Sequence, residues 1–259
     1  MSQGPETSEP GFADHFSAGA ADYARFRPRY PDALFDRLAA LAPGRERAWE
    51  CATGNGQAAL ALAERFEEVV ATDASAEQLA EAPAHPRVRY RCERAEQSSL
   101  EAGSVDLVTI AAALHWFDRS AFFAEVRRVA RPGALFAAWS YGAVVRASPA
   151  IDAVVERYAH EVLADHWPPE FHHIRTTYRE IELPFAEVAM PELAIEVEWG
   201  PGDLLGWLET WSGAAAFRRR EGRAPTRAIH EALARAWGDP ARAREIRLPI
   251  FFRVGRVGG

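Results

Sequence analysis

The stretch WECATGNGQAALALAERFEEVVATD, residues 49–73, decides the fold of this chain. A short apolar run, a loop with two glycines, a helix-forming run, a second apolar run and an acid follow one another, which predicts strand–loop–helix–strand. In such a unit the glycines let backbone N–H groups approach a ligand at the positive end of the helix. Asp73 lies near the spacing at which an acid ending the second strand binds ribose hydroxyls. The stretch therefore predicts half of a nucleotide-binding βαβ unit.

The glycine loop fits two cofactor patterns. Residues 54–59, GNGQAA, satisfy the dinucleotide fingerprint in its Gly/Ala form. Residues 50–56, ECATGNG, satisfy the acid-x-Gly-x-Gly-x-Gly pattern of S-adenosylmethionine enzymes, with alanine for the first glycine. Glu50 beside the loop would repel a pyrophosphate but suits a ligand that carries an amino group and a sulfonium. Glu50 thus favours S-adenosylmethionine, while Asp73 does not discriminate and a tight turn without a ligand stays open.

Composition limits the class of protein. The chain has 259 residues, 48% of them hydrophobic and 26% charged, which is typical of a globular protein that buries a substantial core. Its net charge is −7 and every basic residue is arginine, so the balance argues against a dedicated binder of nucleic acid or anionic membrane. Cys51 and Cys92 form neither a disulfide framework nor a zinc pattern, and we expect both reduced in a cytosol.

The N-terminal residues and the lack of a long apolar run suggest a cytoplasmic location. The first twelve residues are polar and acidic, without the apolar core of a secretory signal. No apolar run has the length of about 18 residues that a membrane-spanning helix needs. We therefore predict a cytoplasmic protein whose residues 1–10 are a disordered leader.

Strand-like and helix-like segments alternate five times, which predicts an α/β fold with a doubly wound sheet and right-handed crossovers. The predicted sheet is seven-stranded and mostly parallel, with an N-terminal helical leader and a lid insertion after strand five. The predicted strands span about 48–52, 68–72, 88–92, 105–111, 134–139, 192–199 and 246–254, and the predicted helices span about 31–41, 57–66, 76–82, 121–130, 149–163, 201–219 and 226–237. We expect a single domain over 11–259, divided into a cap (11–45), a cofactor-binding core (46–141), a lid (142–191) and C-terminal strands and helices (192–259).

Four longer segments resemble the seven-stranded class I methyltransferases, which use S-adenosylmethionine. They are GNGQAALALAE, VVATDASAEQL, SVDLVTIAAALHWFD and RPGALFAAW. The sequence is most similar to the type-11 methyltransferase domain, in the branch related to trans-aconitate methyltransferase. This likeness rests on ALHWF after strand four, on DHFSAGAADYARFRPRYP near the start, and on LETWSGAAAFRRREG and LPIFFRVGR near the end.

The resemblance implies a set of cofactor-binding residues. Gly54 and Gly56 would line the methionine end, Asp73 would hold the ribose, and Arg27 would pair with the cofactor carboxylate. The full set is Phe16, Tyr23, Arg27, Glu50, Ala52, Gly54, Gly56, Asp73, Ala74, Ala95, Glu96 and Ala112. Two residues depart from the family pattern: Ala52 replaces a glycine, and Arg94 stands where many relatives have an aspartate facing adenine.

His115, in ALHWF, is the candidate catalytic residue. It would act as a general base or polarise a substrate oxygen beside the transferable methyl. The alternative is a wall of the cofactor pocket, because an acceptor that is already anionic needs little acid–base help. A carboxylate acceptor needs no base, whereas a hydroxyl with a pKa of about 10 does. The predicted substrate-binding residues are His115, Trp116, Trp139 and Trp211.

Two other clusters carry weaker predictions. Residues 165–173 contain acids and histidines, but their spacing fits no zinc module, so no metal is predicted and a mobile lid is favoured. The arginine run at residues 218–223 is interpreted as a solvated helix face, or as the anchor of an acidic substrate. The Asn/Asp-Pro-Pro-aromatic motif of amino-methylating enzymes is absent after strand four, where ALHW stands instead.

The sequence as a whole predicts methyl transfer from S-adenosylmethionine to a small molecule, with O-methylation of a carboxylate or hydroxyl favoured. One alternative is an NAD(P)-dependent oxidoreductase, although a chain without lysine excludes a Ser-Tyr-Lys site. A cofactor-binding scaffold without catalysis and a nucleic-acid methyltransferase are the others, and the oligomeric state stays open.

Overall fold

A computed structural model describes residues 25–258, and a mixed eight-stranded sheet forms its centre. The strands are β1 (Arg47–Cys51), β2 (Glu68–Asp73), β3 (Val88–Cys92), β4 (Val105–Ala111), β5 (Ala130–Tyr141), β6 (Ala186–Glu187), β7 (Leu193–Trp199) and β8 (Arg244–Arg256). The hydrogen-bonded order is β3-β2-β1-β4-β5-β8-β6, and β7 also pairs with β8. The predicted α/β Rossmann-like fold is confirmed.

Helices pack on both faces of the sheet. The α-helices are α1 (Asp32–Leu41), α2 (Gln57–Ala63), α3 (Ala76–Ala80), α4 (Arg119–Val129), α5 (Pro149–Arg157), α6 (Phe171–Arg175), α7 (Pro201–Glu209), α8 (Ser212–Glu221) and α9 (His230–Trp237). Short 3-10 turns at Leu114–Trp116, Ala164–His166 and Pro225–Ala228, and a π-helical turn at Tyr158–Val162, connect some of them. Ser75 caps α3 as predicted, because its hydroxyl accepts from the N–H of Gln78 at 3.3 Å.

Strands β1 to β5 are parallel and place the site. From β1 the chain moves outward through β2 to β3, and then returns to pair β4 with the other edge of β1. The strand order thus reverses between β1 and β4. In open α/β sheets, ligands bind outside the carboxyl ends of the strands at such a reversal. The ends of β1 and β4 are therefore the first place to look for the site.

The antiparallel side of the sheet explains the strand count. β8 pairs with β5 through its second half and with β7 through its first half. Arg247 exchanges backbone hydrogen bonds with Arg146 on one edge of β8, so β7 occupies the opposite edge, as β6 does further along. β6 and β7 are thus two pieces of one interrupted edge strand. Counted as one strand, they give the sheet the predicted seven strands. Sequence patterning missed β6 because two exposed residues carry no alternation.

Alternate residues of each strand feed two hydrophobic clusters, one on each face of the sheet. Ala48 belongs to the cluster covered by α1, α2 and the C-terminal helices, whereas the adjacent Trp49 belongs to the cluster covered by α4. Both residues are fully buried. The central strands are therefore buried on both sides, which is why their sequences are almost continuously apolar.

Two predicted helices end earlier than the sequence suggested. The helix predicted over 149–163 becomes π-helical after Arg157, where the N–H of Leu163 donates to the Tyr158 carbonyl at 3.0 Å. The helix predicted over 201–219 breaks at Thr210, whose hydroxyl donates to the Trp207 carbonyl at 2.7 Å. The break turns Trp211 into the aromatic cluster beside Trp207. Tertiary packing therefore overrides a continuous helical pattern.

The segment 142–191, predicted as a lid, contributes to the core. Tyr158, Tyr178, Ile181 and Phe185 are all buried in it. Its closure over a ligand stays a prediction, as do the domain boundaries.

Two alanines immediately after β1 and β4 hold left-handed backbone conformations. Ala52 has φ +51° and Ala112 has φ +55°. A side chain with a Cβ costs about 1–2 kcal/mol in this region, and such outliers cluster at ligand-binding sites. Ala52 stands where the family pattern has glycine, so this departure carries backbone strain. Both alanines flank the strand reversal.

We expect Ala52→Gly to raise the free energy of unfolding. Relief of about 1–2 kcal/mol of strain exceeds the extra unfolded-state entropy of glycine, about 0.4–1 kcal/mol. Ala59→Gly, within α2, is the matched control and should lower stability by at least about 1 kcal/mol. Urea unfolding of both variants measures the difference. A loss of stability in Ala52→Gly would show that the left-handed conformation is not strained.

Candidate active site

The glycine loop joins β1 to α2 at the strand reversal. Gly54 and Gly56 have φ of +56° and +81°, a region that glycine enters without steric cost. A Cβ at Gly56 would also collide with the Tyr90 hydroxyl group. The N–H of Gly56 donates to the Thr53 carbonyl at 3.0 Å, which closes the turn. The sequence prediction of a tight glycine loop at this position agrees with the geometry.

Asp73 ends β2 beside this loop and is mostly buried. Its Oδ2 accepts from the N–H of Gly54 at 2.8 Å, and its Oδ1 accepts from the N–H of Ser75 at 2.8 Å. These bonds fix the carboxylate at the mouth of the loop. Each carboxylate oxygen has a second lone pair, so the same group can accept from ribose hydroxyls, which is the predicted role.

Glu50 in β1 is fully buried beneath the loop. Its carboxyl accepts from the hydroxyl of Thr109, the residue opposite it in β4, while Oε1 has no partner among residues 25–258. Burial raises the pKa of Glu50 from about 4.5 to about 8, and the Thr109 hydrogen bond opposes part of this rise. A buried carboxyl with an unpaired oxygen at a strand reversal fits a cationic or hydrogen-bond-donating ligand group.

The carboxyl end of β3 lies next to that of β2. The N–H of Glu93 donates to the Asp73 carbonyl at 3.0 Å, which holds this end together. Ala95 is buried, whereas Glu96 is partly exposed and accepts from the N–H of Asp118 at 3.3 Å. Arg94, the second departure from the family pattern, is exposed and pairs with Glu96 at 3.5 Å. Ala74 follows Asp73 directly and is half-buried.

These features fit S-adenosylmethionine. The buried Oε1 of Glu50 and the buried hydroxyl of Thr53 both lack partners within the described part of the chain, and both border the loop that would carry the methionine portion. Asp73 would supply the ribose acceptor. Phe16 and Tyr23, the remaining predicted contacts, lie outside the described residues, so their roles stay predictions.

Arg27 reaches the site from the N-terminal segment. Its guanidinium donates to the Tyr141 hydroxyl at 2.9 Å and to the Thr210 carbonyl at 3.2 Å. It therefore ties the end of β5 to the turn between α7 and α8. Its predicted pairing with the cofactor carboxylate stays a prediction.

An aromatic cleft opens beside Ala112, at the carboxyl end of β4. Its walls come from the turn after β4, the end of β5, the 167–174 segment and helices α7 and α8. The lining residues are Arg27, Ala112, His115, Trp116, Ser140, Tyr141, Gly142, Ala143, Trp167, Phe171, Ile174, Trp207, Trp211 and Ser212. Three of the four predicted substrate residues, His115, Trp116 and Trp211, are thus brought together. Trp139 is fully buried against Tyr30 and Phe35 and is not among these lining residues.

His115 is neutral in the structure. Its side chain is buried, and Nδ1 lies 2.9 Å from the Tyr178 hydroxyl oxygen. Burial, reinforced by the positive charges of His173 and Arg119, lowers the pKa of His115 from 6.5 to about 3. A histidine with this pKa is a weak base. This geometry thus favours a hydrogen-bonding role over proton removal.

The sequence did not identify several residues of this cleft. Tyr141, Phe171 and Trp207 come together with Trp211 through long-range packing, with ring centroids of Trp207 and Trp211 5.0 Å apart. The density of aromatic residues between 158 and 211 was the available signal. Tyr178 gave none, because it meets His115 only through the fold.

Several side chains of the two weaker clusters pair with neighbours in the described part of the chain. Among residues 25–258, no group of three or more His, Cys, Asp or Glu side chains is arranged to hold a metal ion. His172 pairs with Glu180, and His173 with Arg119. Arg218 pairs with Glu209 and Arg223 stacks on Phe217, so this part of the arginine run is engaged within the fold.

The buried carboxyl predicts a specific pH dependence of stability. The folded-state pKa of Glu50 lies above its unfolded value, so protonation of Glu50 contributes to the free energy of unfolding. This contribution is fully present below about pH 4.5 and is lost as the pH rises to about 8. We expect wild type to lose up to about 1.4 kcal/mol per pH unit in this window relative to Glu50→Gln. Denaturant unfolding across pH measures the difference. Parallel pH profiles for the two proteins would contradict a protonated Glu50.

Comparisons with known proteins agree with this geometry. A family model described as a methyltransferase domain matches residues 49–138. A relative from Dictyostelium discoideum, named “Putative methyltransferase”, is 30% identical over 253 residues, and the match covers 95% of this chain and 95% of the relative. Among the described residues, no helix combines the length and apolar character needed to cross a membrane.

Solved structures give the same family. A “Putative Type II Methyltransferase” from Anaeromyxobacter dehalogenans is 48% identical with a TM-score of 0.84, and the match covers 90% of this chain and 98% of that chain. A methyltransferase-like structure from Bacillus halodurans is 19% identical with a TM-score of 0.51 over 88% of this chain and 99% of that chain, which supports the fold alone.

The predicted family, cofactor and enzyme class are confirmed by these matches, while the likeness to the trans-aconitate branch stays a prediction. The cofactor is S-adenosylmethionine. The chain belongs to the class I S-adenosylmethionine-dependent methyltransferases.

Proposed function

We propose that this enzyme transfers a methyl group to an oxygen atom of a small-molecule acceptor, a carboxylate or a hydroxyl. The observation that carries the proposal is the aromatic cleft, which opens at Ala112 and presents neutral His115 beside the strand reversal. The bound cofactor supplies an electrophilic methyl group on a sulfonium. The chain supplies position and exclusion of water, which are the main sources of rate in such a displacement.

The division of labour follows from the two halves of the site. Glu50 and the glycine loop hold the methionine portion of the cofactor, and Asp73 holds its ribose. Arg27 and Ala112 border both the cofactor region and the cleft, so the methyl group would face the aromatic walls. His115, Trp116 and Trp211 shape the acceptor pocket.

The charges around the cleft favour an oxygen acceptor over an amine. Among the described lining residues, Arg27 is the charged side chain, and none is a carboxylate. An amine is protonated at neutral pH, so it needs an anion to bind it and a base to free its lone pair. A carboxylate is already ionised and needs neither. The ALHW sequence in place of an amino-methylating motif points the same way.

The aromatic walls favour an acceptor with an apolar or planar part. Trp167 and Phe171 are stacked with ring centroids 3.5 Å apart, and the Tyr141 and Trp207 rings, stacked at 6.3 Å, also line the cleft. Such side chains contribute large buried areas with few polar contacts. Small molecules fit this cleft better than a nucleic acid, whose phosphates would need a basic groove.

The cytoplasm is the proposed location. Cys51 and Cys92 are both free thiols in the structure, which suits a reducing compartment. A cofactor-binding scaffold would bind the cofactor without turnover. Transfer of a labelled methyl group to a member of a metabolite panel therefore distinguishes an active enzyme from a scaffold.

We expect S-adenosylhomocysteine to stabilise the protein against heat, whereas NADH does not. A ligand at about a hundred times its dissociation constant adds about 2.7 kcal/mol to the free energy of unfolding. A thermal-shift titration with both ligands measures this. A shift with NADH and none with S-adenosylhomocysteine would favour the oxidoreductase.

Asp73→Asn tests the ribose position in the same assay. Loss of a charge-assisted hydrogen bond, worth about 1.5–3 kcal/mol, should weaken S-adenosylhomocysteine binding by at least about tenfold. Asp36→Asn is the matched control, because Asp36 is exposed and pairs with Arg65 on the surface. Equal affinity of both variants would show that Asp73 does not hold the ribose.

A further inference from the structure

His115 and Tyr178 form a buried polar pair behind the cleft. Tyr178 is fully buried, and its hydroxyl oxygen lies 2.9 Å from Nδ1 of His115. His115 comes from the 3-10 turn after β4, whereas Tyr178 comes from the chain after α6. This pair joins distant parts of the sequence, so it depends on the packing of the segment 142–191, which is predicted to be a lid.

The backbone at Tyr178 is strained, and the side chain is held in place by packing. Thr177 and Tyr178 have φ of +53° and +59°, and both are non-glycine residues. The Tyr178 ring packs edge-on against Phe251 of β8, with ring centroids 5.1 Å apart. Two consecutive left-handed residues cost free energy that the surrounding structure must offset. Strain of this kind is concentrated where a side chain is aimed at a functional group.

The position of the phenol hydrogen can be worked out from the neighbours. A phenol oxygen has one hydrogen to donate and can accept from other donors. Among residues 25–258, the hydrogen-bond partner of this oxygen is Nδ1 of His115 at 2.9 Å, whereas the Ser140 hydroxyl donates to the Tyr141 carbonyl at 3.4 Å. Burial raises the pKa of Tyr178 well above its ordinary value, so the phenol keeps its hydrogen. Nδ1 of His115 is the acceptor left for that hydrogen.

This arrangement sets the tautomer of His115. With Nδ1 accepting, the single hydrogen of the neutral imidazole lies on Nε2. Nε2 has no hydrogen-bond partner among residues 25–258. It is also absent from the set of fully buried polar atoms without a partner, so Nε2 is not fully buried. His115 lines the cleft. Nε2 is therefore the ring nitrogen that stays accessible from the cleft.

We propose that Tyr178 is a positioning residue that holds His115 as the Nε2–H tautomer, so that His115 donates a hydrogen bond into the acceptor cleft. This inference rests on the proposed methyl transfer and deepens it. His115 then orients the acceptor and does not remove its proton.

The assignment constrains the acceptor. Because His115 carries its hydrogen on Nε2 and accepts from Tyr178 through Nδ1, it does not take a proton from the acceptor, so the attacking oxygen must reach the cleft already ionised. The bond from this oxygen to the methyl carbon then forms as the carbon–sulfur bond breaks, and the electron pair of that bond stays on sulfur. No proton moves in this step. For a carboxylate, one oxygen can accept from Nε2–H while the other attacks. A neutral hydroxyl would have to lose its proton to another group.

Nitrogen NMR of the ¹⁵N-labelled full chain tests the tautomer directly. Long-range proton–nitrogen correlations distinguish a protonated Nε2 from a protonated Nδ1, and loss of one imidazole pattern in His115→Asn assigns the signals. We expect wild type at neutral pH to show a protonated Nε2 and a hydrogen-bonded, unprotonated Nδ1. In Tyr178→Phe the Nδ1 resonance should shift to the position of an unbonded ring nitrogen.

Tyr158→Phe is the matched control. Tyr158 is also fully buried, but its hydroxyl donates to the Leu208 carbonyl and does not contact His115, so its removal should leave the His115 signals in place. A protonated Nδ1 in wild type, or an Nδ1 resonance that is the same in wild type and Tyr178→Phe, would overturn the proposal. S-adenosylhomocysteine binding to the same samples, measured by calorimetry, reports separately on the proposed function.

Discussion

The structure depends on a carboxyl group buried where the sheet reverses its strand order. Glu50 sits in β1 against Thr109 of β4, fully removed from solvent and with one oxygen unpaired among the described residues. Burying such a group costs free energy unless a ligand completes its hydrogen bonds. The loop above it, with two left-handed glycines and the left-handed Ala52, keeps the backbone open at the same point. The fold therefore accepts instability at the proposed cofactor site.

The proposed acceptor cleft is built from aromatic packing and not from a buried charge. Around Ala112 the chain builds a cleft from aromatic rings that come from β5, the 167–174 segment and helices α7 and α8. Polar groups there are few, and they are neutral or already hydrogen-bonded: His115 to Tyr178, and Arg27 to Tyr141. A cleft of this kind positions an apolar acceptor and excludes water. In the proposed arrangement, the cofactor side supplies electrostatics and the acceptor side supplies shape.

Local sequence patterns predicted the strands and the glycine loop of the proposed cofactor half because their determinants are local. The run from Trp49 to Asp73 contains the strands, the loop and the acid, and β3 and β4 lie where alternation and apolar runs placed them. The acceptor half was predicted only in part. His115 and Trp116 follow β4 directly, but Tyr178 and Trp207 reach the site through long-range packing that no spacing rule encodes.

Errors in the helices have the same origin. The pattern over 201–219 is continuously helical, yet Thr210 ends α7 because Trp211 gains more by packing into the aromatic cluster. The short strand β6 was missed because its pairing with β8 depends on partners far along the chain. Where burial and hydrogen bonding are decided within about twenty residues, the sequence is informative; where they depend on assembly of the sheet, it is not.

We propose that a protonated, buried Glu50 contacts the amino group of the cofactor. Calorimetric binding of S-adenosylhomocysteine near neutral pH, in two buffers with different ionisation enthalpies, measures the protons released on binding. A positive charge beside Glu50 lowers its pKa from about 8, so wild type should release protons to the buffer and Glu50→Gln should not. Equal proton release by the two proteins would contradict a contact between protonated Glu50 and the cofactor amino group.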